Sequence, residues 1–283
     1  MPERGVILIT GASTGIGRAS ALLLDRLGYR VFAGVRRDVD ANALRQEATD
    51  HLTPVILDVT DQESIRHTRD LIAGVTDSLV GIVNNAGIVV AGPIEALSLD
   101  DVRLQFDVNV FGALAVTKAF IPHLRTGSGR VVNVSSINGR IVTPFVALYA
   151  ASKFALEALS DGLRLELRPW NISVSVVQPG PIKTAIWSSS AQRALANAKR
   201  FSPEMQSRYA GVIASIERHQ GRPPSRAIPP ERVARVIHHA LAARRPKTRY
   251  LVGMDARIGA LVSAVLPDRV KDYILTRRHR RRR

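Results

Sequence analysis

The run Val6-Ile-Leu-Ile9 passes directly into Thr10-Gly-Ala-Ser-Thr-Gly-Ile-Gly17, and from Ala19 to Leu27 apolar residues recur at helical spacing up to Gly28. The aliphatic run reads as a buried strand, the glycines as a turn, and the periodic stretch as a helix ending at Gly28. Such a turn brings free N–H groups and the positive end of a helix dipole to the carboxyl edge of a sheet, where they favour phosphate. The spacing is Gly-x-x-x-Gly-x-Gly, not the Gly-x-Gly-x-x-Gly of the common dinucleotide fingerprint. No Gly-Lys-Ser/Thr follows it, so a P-loop nucleotidase fits poorly. In this strand–turn–helix setting the ligand expected is a dinucleotide.

The same strand-then-helix alternation continues along the chain. Strands are expected at Val6–Thr10, Arg30–Val35, Thr53–Leu57, Leu79–Asn84, Gly129–Ser135, Ile172–Gln178 and Thr248–Val252. The strongest helices fall after Gly15, from Gln62, around Asp100 to His123, through Tyr149 and from Pro230. This pattern predicts an α/β fold: one Rossmann-type, doubly wound domain over residues 1–276, of about seven parallel strands with helices on both faces. A chain of 283 residues, 46% of them hydrophobic, suits one such core. Residues 185–230 interrupt the alternation. With no cysteine in the chain, disulfides, thiol nucleophiles and cysteine metal sites are excluded. No apolar run approaches the roughly 18 residues that span a bilayer, and Met-Pro-Glu-Arg-Gly carries no signal-peptide pattern. The expected location is cytoplasmic.

Tyr149 and Lys153, in Tyr149-Ala-Ala-Ser-Lys153, share one face of a helix if the flanking helix-forming residues act as they read. A free phenol has a pKa of about 10, and a nearby lysine cation would favour the phenolate and suit it to general acid–base work. A surface Tyr and Lys on a common helix is the plainer reading. Further motifs weigh against it: Asn84-Asn-Ala-Gly87 after the run Leu79–Val83, and Val131-Val-Asn-Val-Ser-Ser136 ahead of Tyr149. Thr10-Gly11-x-x-x-Gly15-x-Gly17, Asn84-Asn85-Ala86-Gly87, Asn109, Ser136, Tyr149-x-x-x-Lys153 and Pro179-Gly180 stand in one order over residues 5 to 185. In that order they resemble the short-chain dehydrogenase/reductase family. The residues around Gly139-Arg140 and from Ala151 to Ser160 are most similar to its hydroxysteroid and retinol dehydrogenase members.

The resemblance implies roles. Tyr149 would be the general acid or base, Ser136 would fix the reacting oxygen, and Lys153 would lower the phenol pKa and hold the nicotinamide ribose. Asn109 would keep a water in line with Lys153; a helix-kinking polar residue is its other reading. Ser135 competes with Ser136, and the family spacing favours Ser136. Cofactor contacts would come from Gly11, Ser13, Thr14, Gly15, Ile16 and Gly17. Asp58 and Val59 would serve at the adenine, with Asn85, Ala86 and Gly87 at the next turn. Pro179, Gly180, Ile182 and Thr184 would lie at the nicotinamide end, beside Tyr149 and Lys153. Val35 stands where an acid would read the ribose of NAD, and Arg36 follows it, so NADP is favoured over NAD unless Asp38 reaches the ribose. Residues 185–230 would cover the substrate or be an ordinary connecting helix pair. The function implied is interconversion of a ketone or aldehyde and an alcohol on a lipophilic, steroid-, retinoid- or acyl-like substrate, without a metal, in a homodimer or homotetramer. A catalytically silent, cofactor-sensing regulatory protein is the alternative, and the complete Ser136, Tyr149 and Lys153 set argues for the enzyme.

The formal net charge is +16, and the run Arg277-Arg-His-Arg-Arg-Arg-Arg283 concentrates part of it at the C-terminus. Residues 277–283 read as a solvated, disordered basic tail. With the apolar Ile258–Leu266 upstream, a peripheral contact with an anionic membrane is the second reading. Nucleic acid is disfavoured, because no aromatic residues are interleaved with the arginines. His238-His239 reads as a solvated helix face.

Overall fold

The computed structural model of the protein describes residues 4–280, with side chains as far as Thr276. The first half of the fold runs β1 (Val6–Ile9), α1 (Gly15–Arg26), β2 (Arg30–Val35), α2 (Asp38–Arg45), β3 (Leu52–Ile56), α3 (Gln62–Ala73) and β4 (Gly81–Asn84). It continues with α4 (Leu99–Phe106), α5 (Ala113–Thr126), β5 (Arg130–Val134), α6 (Ala147–Glu166) and β6 (Ser173–Pro179). The last part holds α7 (Ile186–Ala198), α8 (Pro203–Arg208), α9 (Ala210–His219), α10 (Pro230–Ala242), β7 (Arg249–Val252), α11 (Met254–Val265) and α12 (Asp268–Arg280).

All seven strands lie in one parallel sheet in the order β3-β2-β1-β4-β5-β6-β7. Successive side chains on a strand point to opposite faces, so β1 feeds two cores. Ile7 and Ile9 pack with Leu24 of α1 and Ile237 of α10 on one face. Leu8 packs with Ile72 of α3 and with Phe120 and Leu124 of α5 on the other. Burial on both faces explains why β1 reads as an unbroken aliphatic run. The order reverses between β1 and β4, which opens a crevice at their carboxyl ends.

The seven strands match the expected ones to within a residue or two at their ends. Other features departed from the sequence reading. Residues Leu99–Thr126 form one continuous 28-residue helix, long and apolar enough by length and composition to cross a membrane. Counting unbroken apolar runs missed it, because Asp107, Asn109 and Lys118 interrupt the run. Val116, Phe120 and Leu124 bury its stripe against the sheet, as in a core helix. Midway, Asp107–Gly112 widen into a π-helical turn where α4 meets α5. His238 is not on a solvated face: it packs edge-on to Tyr29 with ring centroids 6.1 Å apart, and burial holds it below its usual pKa.

Beyond β7, α11 sets small residues inward, with Ala256 and Ala260 buried and the Ser263 hydroxyl donating to the Arg140 carbonyl at 2.6 Å. Met254, Ile258, Leu261 and Val265 form the opposite stripe, each 53–67% exposed. The expected basic tail begins inside α12, whose backbone is helical to Arg280. The side chains of residues 277–280 and all of 281–283 lie outside the described residues.

Residues 186–219 are three helices, not a pair, and they are tied down at defined points. Asp101 makes a capping box with Ser98 at the start of α4. It also accepts from Asn197 Nδ2 at 3.0 Å and from Arg200 Nη2 at 3.2 Å. Glu95 forms a second tie, accepting from the Tyr209 hydroxyl and pairing with Arg208. Burial alone would raise the Asp101 pKa, but the hydrogen bonds from Ser98, the Arg200 charge and Asn197 outweigh it and leave the carboxyl below its ordinary value. A lowered carboxyl contributes stability that is complete above its unfolded pKa of about 3.9 and is lost as pH falls through the folded value. Asp101→Asn should therefore weaken the docking of α7 by about 1–2 kcal/mol. Faster amide exchange in residues 186–200, with little change elsewhere, is the expected readout; unchanged exchange there would reject Asp101 as the anchor.

Candidate active site

The turns after β1 and β4 are laced together. Thr10 Oγ1 accepts from the N–H groups of Asn85 and Ala86, both at 3.0 Å. Asn85 Nδ2 donates back to the carbonyls of Thr10 at 3.0 Å and Gly11 at 2.9 Å. The approach is so close that a Cβ on Gly11 would fall 2.7 Å from Ala86 Cα, and Gly11 holds φ +65. At Gly17, in the first turn of α1, a Cβ would run into the Gly11 carbonyl and the Asn85 amide. Gly15 lies at φ +57 with the Thr184 methyl where its own side chain would be. No side chain caps α1, and its first turn carries no acid. This glycine-lined, uncapped helix start suits a pyrophosphate, which needs close backbone approach and unpaired N–H groups. Ser13 and Ile16 are half-buried and Thr14 exposed along its edge.

The other expected cofactor contacts surround this turn. Arg36 follows the buried end of β2 and is exposed. Among the described residues it has no ion-pair partner, whereas Arg37 is held by both oxygens of Asp40, at 2.8 and 2.9 Å. Asp38 is exposed at the start of α2. Asp58 Oδ1 accepts from the N–H and hydroxyl of Thr60, at 2.9 and 2.7 Å, and buried Val59 packs against Gly112. Past β6, the Gly180 N–H donates to the Val252 carbonyl at 3.0 Å, and Pro181 and Lys183 bond to Ile228. Ile182 is buried. A cavity of about 420 Å³, lined in part by Gly15, Arg18, Lys183 and Thr184, opens beside the turn; Tyr149 and Lys153 do not line it.

Ser136 follows β5 and caps the short turn Ile137–Gly139, its Oγ accepting from the Asn138 N–H at 3.1 Å. It also hydrogen-bonds Tyr149. The buried Ser135 hydroxyl has no hydrogen-bond partner among the described residues. Lys153 is buried, and its Nζ donates to the Val134 carbonyl at 2.9 Å while lying 5.7 Å from the Tyr149 ring centroid. Burial pushes the Tyr149 phenol up, and the Ser136 hydrogen bond pulls the other way. Burial pushes Lys153 down to about 8, opposed by the Glu157 carboxylate. The Tyr149 pKa is thus raised where a lowered one was expected: burial outweighs the Ser136 hydrogen bond, while Lys153 Nζ bonds the Val134 carbonyl.

Asn109 sits in the π turn and bonds through both ends of its side-chain amide. Oδ1 accepts from the Ile88 N–H at 2.9 Å, and Nδ2 donates to the Ile88 carbonyl at 3.1 Å and to Ser152 Oγ at 3.0 Å. Through these bonds Asn109 clamps the segment after β4 to α6. Gly87 lies beneath the clamp, its Cβ position 3.4 Å from Asn109 Oδ1 and 3.7 Å from Lys153 Nζ. Gln105 repeats the device, reaching the Val90 N–H at 2.7 Å and the Ile88 carbonyl at 2.9 Å. Phe145 enters α6 with φ +68, an uncommon backbone for a bulky residue. Its ring stands edge-on to Tyr209, centroids 6.3 Å apart, so α6 and the α8–α9 junction meet just before Tyr149. Sequence reasoning missed Gln105, Phe145 and Glu157. Only Glu157 carried a signal, standing four residues after Lys153.

The sequence pattern of short chain dehydrogenases matches residues 5–195. The chain belongs to the short-chain dehydrogenase family. Its relatives place it in the retinol and hydroxysteroid dehydrogenase branch of this oxidoreductase family. Retinol dehydrogenase 5 of Mus musculus is 37% identical over 279 residues, covering 95% of this chain and 87% of the relative. The 17-beta-hydroxysteroid dehydrogenase type 6 of Bos taurus is 36% identical, over 96% of this chain and 87% of its own. A solved short chain dehydrogenase from Burkholderia cenocepacia, in complex with NADP, superposes with a TM-score of 0.74 at 27% identity, covering 96% of this chain and 98% of that one.

Proposed function

We propose that this short-chain dehydrogenase interconverts an alcohol and a ketone or aldehyde on a lipophilic substrate, with NADP as its preferred cofactor. The observation that carries the reading is the joining of Ser136, Tyr149 and Lys153, next to a glycine cradle shaped for a pyrophosphate. Gly11 to Gly17 and Thr184 would hold the phosphates, Asp58 and Val59 the adenine, Asn85 to Gly87 the adjoining ribose, and Pro179 to Ile182 the nicotinamide end. When bound, the cofactor supplies or takes the hydride. In reduction, the Tyr149 phenol gives its proton to the carbonyl oxygen; in oxidation, the phenolate takes one from the alcohol. Ser136 holds that oxygen in line with the phenol, and Lys153 positions the ribose hydroxyls. The retinol and steroid dehydrogenase relatives support a lipophilic substrate, with α7–α9, docked on Asp101 and Glu95, as its cover.

The preference for NADP rests on Arg36, a guanidinium without an ion-pair partner among the described residues, after a strand ending in Val35 rather than an acid. The exposed Leu99, Phe111, Phe154 and Leu165 on α4–α6 and the turn between them support assembly as a homodimer or homotetramer. The apolar stripe of α11, followed by the arginines from 277 onward, supports a cytoplasmic enzyme in peripheral contact with anionic lipid.

Tyr149→Phe removes one hydroxyl and should keep cofactor binding while lowering turnover by about 10²–10⁴-fold; near wild-type turnover in a panel of ketones, aldehydes and alcohols would sink the assignment. Arg36→Ala should weaken NADPH by about ten- to a hundredfold and leave NADH nearly unchanged. Fluorescence titration of both cofactors checks it, and a wild type preferring NADH would make Asp38 the ribose reader. Pairing Ile258→Glu with Leu261→Glu should abolish salt-sensitive binding to vesicles of mixed neutral and anionic lipid. Equal vesicle binding by variant and wild type would remove α11 from the contact.

A further inference from the structure

One helical turn beyond Lys153, α6 carries Glu157, a carboxylate only 7% exposed. Its Oε1 accepts from Gln178 Nε2 at 2.8 Å, and its Oε2 from Arg249 Nε at 2.9 Å. Gln178 in turn accepts from Arg140 Nε at 3.1 Å, just past the turn that Ser136 caps. Arg249 continues to Asp161 at 2.7 Å, and Asp161 to Arg164 at 3.0 Å. Gly139 makes room for the group: a Cβ there would stand 3.2 Å from Glu157 Oε1 and 2.8 Å from the Ser135 hydroxyl. One buried carboxylate thus touches the Ser136 turn, the helix of Tyr149 and Lys153, and the ends of β6 and β7.

A charge this buried is costly unless it is paired and hydrogen-bonded. Arg249 and Gln178 meet that need from one side. The charged and titratable groups of this network are Tyr149 and Glu157 on the Lys153 helix, Arg140 past the Ser136 turn, and Arg249 from β7. From β5 the neutral Val134 carbonyl accepts from Lys153 at 2.9 Å, and the neutral Asn109 lies across Gly87 from it. Glu157 is the one anion of this set. Asp161, a further turn along, is engaged by Arg249 and Arg164.

We propose that Glu157 is a positioning residue of this site, keeping Lys153 an ammonium at neutral pH and bracing, through Gln178 and Arg140, the turn that presents Ser136. Its consequence for turnover rests on the oxidoreductase reading; its effect on Lys153 does not. When Tyr149 gives up its proton, the phenolate left behind needs a positive charge nearby, and a neutral amine supplies none. Burial already brings Lys153 down to about 8, and the Glu157 charge opposes that fall. Removing the carboxylate lets burial draw the lysine lower, so less of it is protonated at neutral pH.

The test is an NMR titration of carbon-13-labelled lysine, with the Lys153 signal assigned by its loss in Lys153→Met. Lys153 should titrate near 8 in the wild type, at lower pH in Glu157→Gln, and closer to the wild type in Glu157→Asp, which keeps the charge. In carbonyl reduction, the alkaline fall of kcat should move to lower pH in Glu157→Gln, with KM little changed and turnover at neutral pH reduced several-fold. Identical Lys153 titrations in wild type and Glu157→Gln would overturn the proposal. If that variant does not fold, Arg249→Met leaves the Glu157 charge in place without its partner; Lys153 should then titrate at higher pH than in the wild type, and an unchanged titration would equally overturn the proposal. A wild type that reduces none of the carbonyls offered would defeat the oxidoreductase reading, while the titration still decides the part of Glu157.

Discussion

The exchange of hydrogen bonds between Thr10 and Asn85 is the constraint on which the rest of the site depends. It joins the ends of two strands that lie side by side where the sheet reverses its order. Because Thr10 Oγ1 accepts two N–H groups and Asn85 returns two donors, neither turn can shift without stranding buried polar groups. The glycines follow from this lacing. Gly11 and Gly17 leave no room for a Cβ because the two turns have already been drawn together. The phosphate cradle is therefore a by-product of how β1 and β4 end, and a ligand would meet a backbone already in place.

A second organising element is the handling of charge under α6. The helix brings a lysine and a glutamate into the interior one turn apart, and every polar contact they make comes from a different layer of the fold. β5 offers a carbonyl, β6 an amide and β7 a guanidinium. The far edge of the sheet, remote from the cradle in strand order, thus supplies the partners of the buried Glu157 carboxylate. Low local dielectric makes such a network strong when complete and costly when broken.

Much of this was legible in the sequence. Aliphatic runs marked most strands, since burial on both faces favours apolar residues, and Tyr149 and Lys153 announced a shared helical face by spacing alone. What escaped depends on contacts between distant segments. The π turn at Asp107–Gly112 has no composition of its own; it is set by the packing of Gly112 on Val59 and the grip of Asn109 on Ile88. The direction of the Tyr149 pKa was misread because the burial that raises it comes from segments distant in the sequence. Residues 185–230 read as irregular because their order comes from Asp101 and Glu95, about a hundred positions upstream.

Asp101 serves two structures of different range. Its bonds to Ser98 close a helix start across three residues, while those to Asn197 and Arg200 close a span of nearly a hundred. Local contacts form before long-range ones are rewarded, so α4 can be complete while α7 is still free, and the docking point exists before its partner arrives. The helices α7–α9 are then modular. Their sequence can drift as long as Asn197 and Arg200 still find a carboxylate that the core has oriented beforehand.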